Sequence, residues 1–326
     1  MAMGGNNLAE RRFPEGLSGL GEDPIEFKRN NIYLVPGKDG ARVLKQLRIG
    51  AEQAKLIGEL LTYLNSSGLT PELIRPKSGA AYFWNKGNRY FLTRFIPGRN
   101  ADYHQIPDFQ AAIRAMSTLH HLSGRFLLAH PKRYSSLKFE PLPIWRRRLR
   151  EMEICRERAI RLQDPFSKEY LRLWYFFWNQ GAKAIKEVET LKAEQPGVIC
   201  HHDWAFHNLI INNGEAVLID FDYMIVDQPV HDRVNLISRY LRLHQWSKEA
   251  LMKALWNFDR FYPWKIGELR KFRIYLTFPY EYWMLGRQYF LERQPWSTRY
   301  FIDQWHRKVS GFEKRIKILE LIECFE

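Results

Sequence analysis

The segment His201-His202-Asp203-Trp204-Ala205-Phe206-His207-Asn208, with the stretch ending Ile219-Asp220-Phe221-Asp222, constrains this chain more than any other part of it. Between the two lie Leu209-Ile210-Ile211, then Asn212-Asn213-Gly214, then Ala216-Val217-Leu218-Ile219. Two apolar runs around a tight-turn signal predict a β-hairpin. A hairpin brings its open ends together, so Asn208, entering the first strand, and Asp220, leaving the second, are expected side by side. Val198-Ile199-Cys200 reads as a further short buried strand that delivers the loop. Asp and Asn are ordinary turn formers when taken singly. Jointly, an acid, an amide five residues on and a second acid across a hairpin meet the demands of phosphoryl transfer. That chemistry needs one carboxylate near the attacking hydroxyl and further oxygen ligands to hold magnesium against phosphates. Zinc is not expected: Cys200, His201, His202 and His207 lack a C-x-x-C or H-x-x-x-H arrangement, and no second cluster completes four ligands.

Upstream, Asn31-Ile32-Tyr33-Leu34-Val35, a Pro36-to-Gly40 turn and Arg42-Val43-Leu44-Lys45-Gln46-Leu47 read as a hairpin. A helix from about Ala51 to Asn65 follows and stops at Ser66-Ser67-Gly68. Period-two alternation puts Lys45 on one face with Val43 and Leu47, an inward position that calls for an anion. Tyr82-Phe83-Trp84, the Asn85-to-Asn88 turn and Tyr90 to Ile96 form another hairpin, and Pro97-Gly98 marks the junction before a helical remainder. There, Phe109, Ala112, Ile113, Met116, Leu119 and His120 recur at helical spacing as core, with His120 a packed, hydrogen-bonded histidine. The aromatics of the last hundred residues, among them Trp246, Trp256, Trp264, Trp283, Trp296 and Trp305, are expected to be mostly core as well.

Leu44-Lys45 in an early strand, Tyr90 to Arg99, the helix ending Leu119-His120-His121-Leu122-Ser123-Gly124 and the His201 and Asp220 segments together resemble the aminoglycoside phosphotransferase and choline kinase-like superfamily. The run Asp220-Phe221-Asp222-Tyr223, followed by Asp227 to Asp232, resembles the bacterial spore coat protein S family within it. The resemblance implies an α+β, two-lobed protein kinase-like fold. Residues 25–97 would form a small β-rich N-lobe with nucleotide-binding strands and one helix. Residues 98–326 would form a large, mainly helical C-lobe carrying the catalytic loop and the metal-binding hairpin, and residues 1–24 a disordered tail. It implies ATP and Mg2+ as cofactors and a hydroxyl of an unidentified small molecule as acceptor. Asp203 would orient or deprotonate that hydroxyl, His201 brace the loop, Asn208 and Asp220 hold magnesium, and Lys45 bind the nucleotide phosphates. Backbone groups at Arg94, Phe95 and Ile96 would meet adenine, and Tyr280-Glu281-Tyr282-Trp283 with Arg287 lie where related enzymes build the acceptor pocket.

Two features depart from the superfamily. The glutamate that usually steadies the kinase lysine falls at Ile57, leaving Glu52 or Glu59 as substitutes, and no G-x-G-x-x-G loop precedes Lys45. These departures keep open a different class of function, a catalytically inert docking component of the spore coat. A cytoplasmic small-molecule kinase of the choline or aminoglycoside type is the third alternative.

The 326 residues, 45% hydrophobic, suffice for a sizeable core, and no apolar run approaches membrane-spanning length. Residues 1–21 lack the apolar core of a signal peptide, and three scattered cysteines make no disulfide framework. Together with these features, the resemblance to the spore coat family implies synthesis in the bacterial mother-cell cytoplasm and deposition in the spore coat, among other coat proteins. The net charge of +14 attracts polyanions, yet the densest run, Arg146 to Arg161, is interleaved with Glu151, Glu153 and Glu157 and reads as a solvated helix face. No nucleic-acid-binding motif accompanies it, so no specific nucleic-acid partner is expected.

Overall fold

The structure, a computed structural model, describes residues 26–29, 31–37, 39–191 and 197–326. The expected tail, residues 1–24, lies outside the described residues. In chain order the first elements are β1 (Glu26–Arg29), β2 (Ile32–Val35), β3 (Arg42–Leu47), α1 (Ala51–Leu64), β4 (Leu73–Ile74), β5 (Phe83–Asn85), β6 (Asn88–Arg94) and β7 (Arg99–Asn100). The helices α2 (Ile106–Ala129), α3 (Pro141–Leu162) and α4 (Pro165–Val188) follow, then β8 (Val198–Cys200), β9 (Leu209–Asn212), β10 (Glu215–Leu218) and β11 (Ile225–Asp227). The chain closes with α5 (Val230–Leu243), α6 (Lys248–Phe261), α7 (Glu268–Thr277), α8 (Tyr280–Gly286), α9 (Thr298–Lys308) and α10 (Phe312–Glu323).

Two compact units result: described residues up to Ala101 with His207–Tyr223, and Asp102–Phe206 with Met224–Glu326. In the first unit, an antiparallel sheet runs β1-β2-β3-β6-β4, with β5 also on β6. Its register explains its two faces. Leu44 stands opposite Tyr33 and Leu92, and these bury one side together with Val35 and Tyr90. Lys45 stands opposite Ile32 and Phe91, on the other side. The helix α1 buries Ala54, Ile57, Leu61 and Leu64, the stripe its spacing requires, and ends through a 3-10 turn at Gly68, whose φ of 70° is the left-handed stop signalled in the sequence.

The predicted hairpin forms, with Leu209 opposite Leu218 and Asn212 opposite Glu215. Its grouping differs from a linear reading, which assigned it to the C-lobe after residue 97. β7 pairs with β9, Arg99 opposite Ile211 and Asn100 opposite Ile210. The Ala101 amide donates to the Leu209 carbonyl at 3.0 Å and the Leu218 amide to the Leu69 carbonyl at 2.8 Å. This ladder makes the hairpin part of the first unit. Gly98 permits the approach: at φ 148° a Cβ there would stand 2.4 Å from the Ile211 carbonyl oxygen.

In the second unit, α2 packs on β8, which pairs with β11, and α3 packs on α4. Of the six tryptophans named, Trp246, Trp283 and Trp305 are core, whereas Trp264 is half-buried and Trp256 and Trp296 are exposed. Tyr282 stacks on Tyr170 at 4.4 Å and on Phe177 at 4.5 Å, among Phe166, Phe290, Phe301 and Trp305. Each such ring contributes roughly 1.5–3 kcal/mol through burial. Among the described residues, no helix is long and apolar enough to cross a membrane.

Candidate active site

The first unit contains a cavity of about 410 Å³. Its apolar wall comes from the sheet and α1, through Val43, Phe91, Ile57 and Leu61, and from the hairpin, through Ile210 and Leu218. Six of the predicted site residues line it: Lys45, Arg94, Phe95, Ile96, Asn208 and Asp220. The hairpin explains two of them. The Ile219 amide donates to the Asn208 carbonyl at 3.0 Å, closing the open end of the ladder, so Asp220 emerges next to Asn208. Asp220 has φ 68°, a left-handed conformation uncommon for a non-glycine residue, and such strain gathers at functional sites.

The Lys45 ammonium lies 2.7 Å from Asp220 Oδ1 and 2.8 Å from Asp222 Oδ1. Asp222, to which the sequence reading gave no role at the metal site, is thus a second carboxylate here; its i+2 spacing from Asp220 across the Phe221–Tyr223 turn was the available signal. The ion pairs that Lys45 makes among the described residues go to these aspartates, not to Glu52 or Glu59. Ile57 lines the cavity instead, and α1 reaches the aspartate segment through Gln53, whose amide donates to the Asp222 carbonyl at 2.8 Å. At the other edge, the Arg94 amide donates to Glu72 O and the Phe95 amide to Ala41 O, both at 3.0 Å. The Ile96 amide makes no hydrogen bond to the described residues.

His201 and Asp203 belong to the second unit. Their loop is built around Asp232, whose side chain is wholly buried. One Asp232 oxygen accepts from the His201 amide at 2.9 Å and contacts His120 Nε2 at 2.9 Å, while the other accepts from the His202 amide at 2.9 Å. Burial alone would raise the Asp232 carboxyl, but the bonds from His120 and the loop amides hold it down at about 2. Asn235 continues the brace, accepting from the Trp204 amide at 3.0 Å and donating to the His202 carbonyl at 2.8 Å. Arg239 Nη2 holds Asp203 Oδ1 at 2.6 Å. Asp232, Asn235 and Arg239 share a helical face at i, i+3 and i+7 on α5, a signal readable only once the partner loop is known.

His120, Cys200 and Asp232 bring their polar side-chain atoms within 4.8 Å of one another. Burial pushes the Cys200 thiol far up, keeping it neutral, and it donates to Gln228 O at 3.4 Å. His120 also contacts the Tyr262 hydroxyl at 3.1 Å, so the cluster is a hydrogen-bonded brace.

The same loop fixes a pH dependence. His202, at φ 68°, is half-buried against the His231 ring at 4.7 Å, and desolvation first, then His231, lowers its pKa to about 3 from 6.5. A depressed folded-state pKa means that protons bind the unfolded chain first. Stability is therefore full above pH 6.5 and falls by about 1.4 kcal/mol per unit as pH drops toward 3. Urea unfolding at pH 6.5 and 5.0 is expected to differ by about 1.6 kcal/mol for this reason. His202→Asn, which tolerates the left-handed backbone, should flatten the difference; parallel pH profiles would remove His202 as its source.

Comparison with known proteins bears on family and fold. The chain is 23% identical over 325 residues to spore coat protein S of Bacillus subtilis (strain 168), covering 93% of each protein. Among solved structures, it is similar to an aminoglycoside phosphotransferase from Alicyclobacillus acidocaldarius subsp. acidocaldarius, with TM-score 0.73, 18% identity and 91% of each chain covered. It is also similar to a spectinomycin phosphotransferase solved with ADP and spectinomycin, with TM-score 0.67, 13% identity, and 94% of this chain and 96% of that one covered. These likenesses give the fold as kinase-like, with a sheet-rich N-terminal region and a helical C-terminal part. Residues 24–270 match the model of the phosphotransferase enzyme family (APH), and the chain belongs to that family.

Proposed function

We propose that the protein transfers a phosphoryl group from Mg-ATP to a hydroxyl of a small molecule. The observation that carries this reading is the Lys45 ammonium held between Asp220 and Asp222 in a cavity that Asn208 also lines. The donor set suits magnesium, because two carboxylates and an amide oxygen are hard ligands for a hard cation. The cavity suits a nucleotide, with an apolar wall for a base and a cation for phosphates. When bound, the magnesium nucleotide supplies a γ-phosphoryl group that bonds to the acceptor oxygen as the bond to the bridging oxygen breaks and ADP leaves. The chain's own residues do the rest. Asn208 and Asp220 hold the metal, with Asp222 as a further carboxylate. Lys45 neutralises phosphate charge, and the Ile96 amide with neighbouring carbonyls meets the base. Asp203 takes the hydroxyl proton, held in place by Arg239 while Asp232 and His201 brace its loop.

Thermal unfolding with and without ligands tests the reading, since a ligand of the native state raises the midpoint. Mg-ATP should raise it more than ATP alone in the wild type, and Asp220→Ala should abolish the magnesium-dependent part. Lys45→Met should weaken ATP more than adenosine. Equal Mg-ATP shifts in wild type and Asp220→Ala would refute the metal site.

A second reading has its own observation. Ile57, an apolar residue of the cavity wall, stands at the usual glutamate position, as suits an inert docking component of the coat. By resemblance to the coat protein, synthesis in the mother cell and assembly onto the spore beside other coat proteins go with either reading. A fluorescent fusion that stays diffuse through vegetative growth would instead fit a cytoplasmic small-molecule kinase.

A further inference from the structure

A second cavity, of about 170 Å³, lies wholly within the second unit. Arg148, Arg239, Arg242, Arg315 and Lys308 line it, against one lining carboxylate, Glu281. Glu281 is divided between two guanidiniums, Arg242 at 3.2 Å and Arg315 at 3.4 Å. Arg239 is occupied by Asp203. Even with Asp203 counted, five cations meet two carboxylates.

Two of the cations have no carboxylate at ion-pair distance among the described residues. Arg148 is held over the Trp283 ring at 4.2 Å and the Tyr280 ring at 5.2 Å, and its buried Nε finds no hydrogen-bond acceptor. Burial lowers its pKa to about 10, so it remains charged at neutral pH. Lys308 stands exposed at the rim. Gathering like charges in a half-buried space is unfavourable without a counter-anion, and a planar guanidinium fork matches an oxyanion.

We propose that this cavity binds the anionic group of the acceptor, a carboxylate or phosphate carried by the hydroxyl compound that is phosphorylated. Calling the ligand an acceptor rests on the function proposed above; the anion site itself does not. The link is Arg239, which lines the cavity and also holds Asp203. An anion gripped here would present its hydroxyl from the same guanidinium that positions the base. A permanently cationic acceptor such as choline is the opposite of what this lining selects.

Calorimetry on the full-length protein tests the site. Gluconate and glycerol 3-phosphate serve as carboxylate and phosphate probes, with glucose, glycerol and choline as neutral and cationic controls. At least one anionic probe should bind, more weakly as salt rises, and the controls should not. Arg148→Gln combined with Lys308→Gln should weaken it at least tenfold, and Lys308→Gln alone, an exposed change that leaves the core intact, at least threefold. Lys45→Met should leave probe binding unchanged. The proposal is overturned if no anionic probe binds, if a control binds equally well, or if Lys308→Gln has no effect. It is equally overturned if Lys45→Met abolishes binding, since the phosphate would then occupy the first unit's cavity. Failure of magnesium-dependent ATP stabilisation with anion binding intact would count against phosphotransfer alone.

Discussion

Asp232→Ala should lower the free energy of unfolding by at least about 3 kcal/mol, the scale for removing one partner from a buried charged network. Its carboxylate is fully buried and satisfies the amides of His201 and His202 and the His120 ring, each at 2.9 Å. Water cannot replace it without entering the core. Alanine would leave two loop amides and an imidazole without an acceptor, and one of those amides belongs to His202, already in a left-handed conformation. Asp232→Asn keeps the shape and one acceptor oxygen, so it should cost less than alanine. Urea unfolding at pH 7.5 decides the matter; an alanine cost below about 1 kcal/mol would mean that the loop carries its own order.

That brace shows where the sequence was readable and where it was not. The hairpin from Leu209 to Leu218 was legible because its signal is local, two apolar runs and an Asn-Gly turn. So was the facing of Lys45, since strand alternation needs no knowledge of partners. His120 was legible as a packed, bonded histidine, but its partners Asp232 and Tyr262 were not, being over a hundred residues away. The grouping of the hairpin with the first unit hung on the two-residue strand Arg99–Asn100, too short to carry a pattern. The arginine run shows both outcomes in one helix. Arg146 and Arg147 do pair with carboxylates at the surface, as a solvated face predicts, whereas Arg148, one residue on, turns into a cavity of aromatic rings. Charge interleaving reports the average of a helix face, and the exception is set by what packs against it. Ile57 is the reverse case. Its identity was read as a missing glutamate, and the structure adds that Lys45 turns to Asp220 and Asp222 in its absence.

Asp203→Asn should lower phosphotransfer at least about a hundredfold while leaving Mg-ATP affinity unchanged, because a positioned base accounts for that scale of rate and not for nucleotide binding. The two effects separate for a structural reason. Lys45, Asn208, Asp220 and Asp222 line the first unit's cavity, while Asp203 belongs to the second unit and is bonded to Arg239. Asparagine is nearly isosteric and its amide oxygen still accepts from Arg239, so the loop should keep its place. On the proposed function, what it loses is the capacity to take a proton from the acceptor hydroxyl. The thermal shift produced by Mg-ATP should therefore match that of the wild type while ADP formation with acceptor falls. Arg239→Lys is the companion variant, keeping the charge but not the fork that also reaches Asn235 Oδ1 at 3.0 Å. If Arg239 positions the base, this variant should slow turnover less than Asp203→Asn does, again with nucleotide affinity retained. Should Asp203→Asn turn over at the wild-type rate, the carboxylate is not the base. Should the wild type phosphorylate nothing in spore extracts while Asp203→Asn cells build a normal coat that deletion disturbs, the protein acts as a docking body. The kinase-like fold would then survive as scaffold, with the charged groups of both units serving assembly rather than transfer.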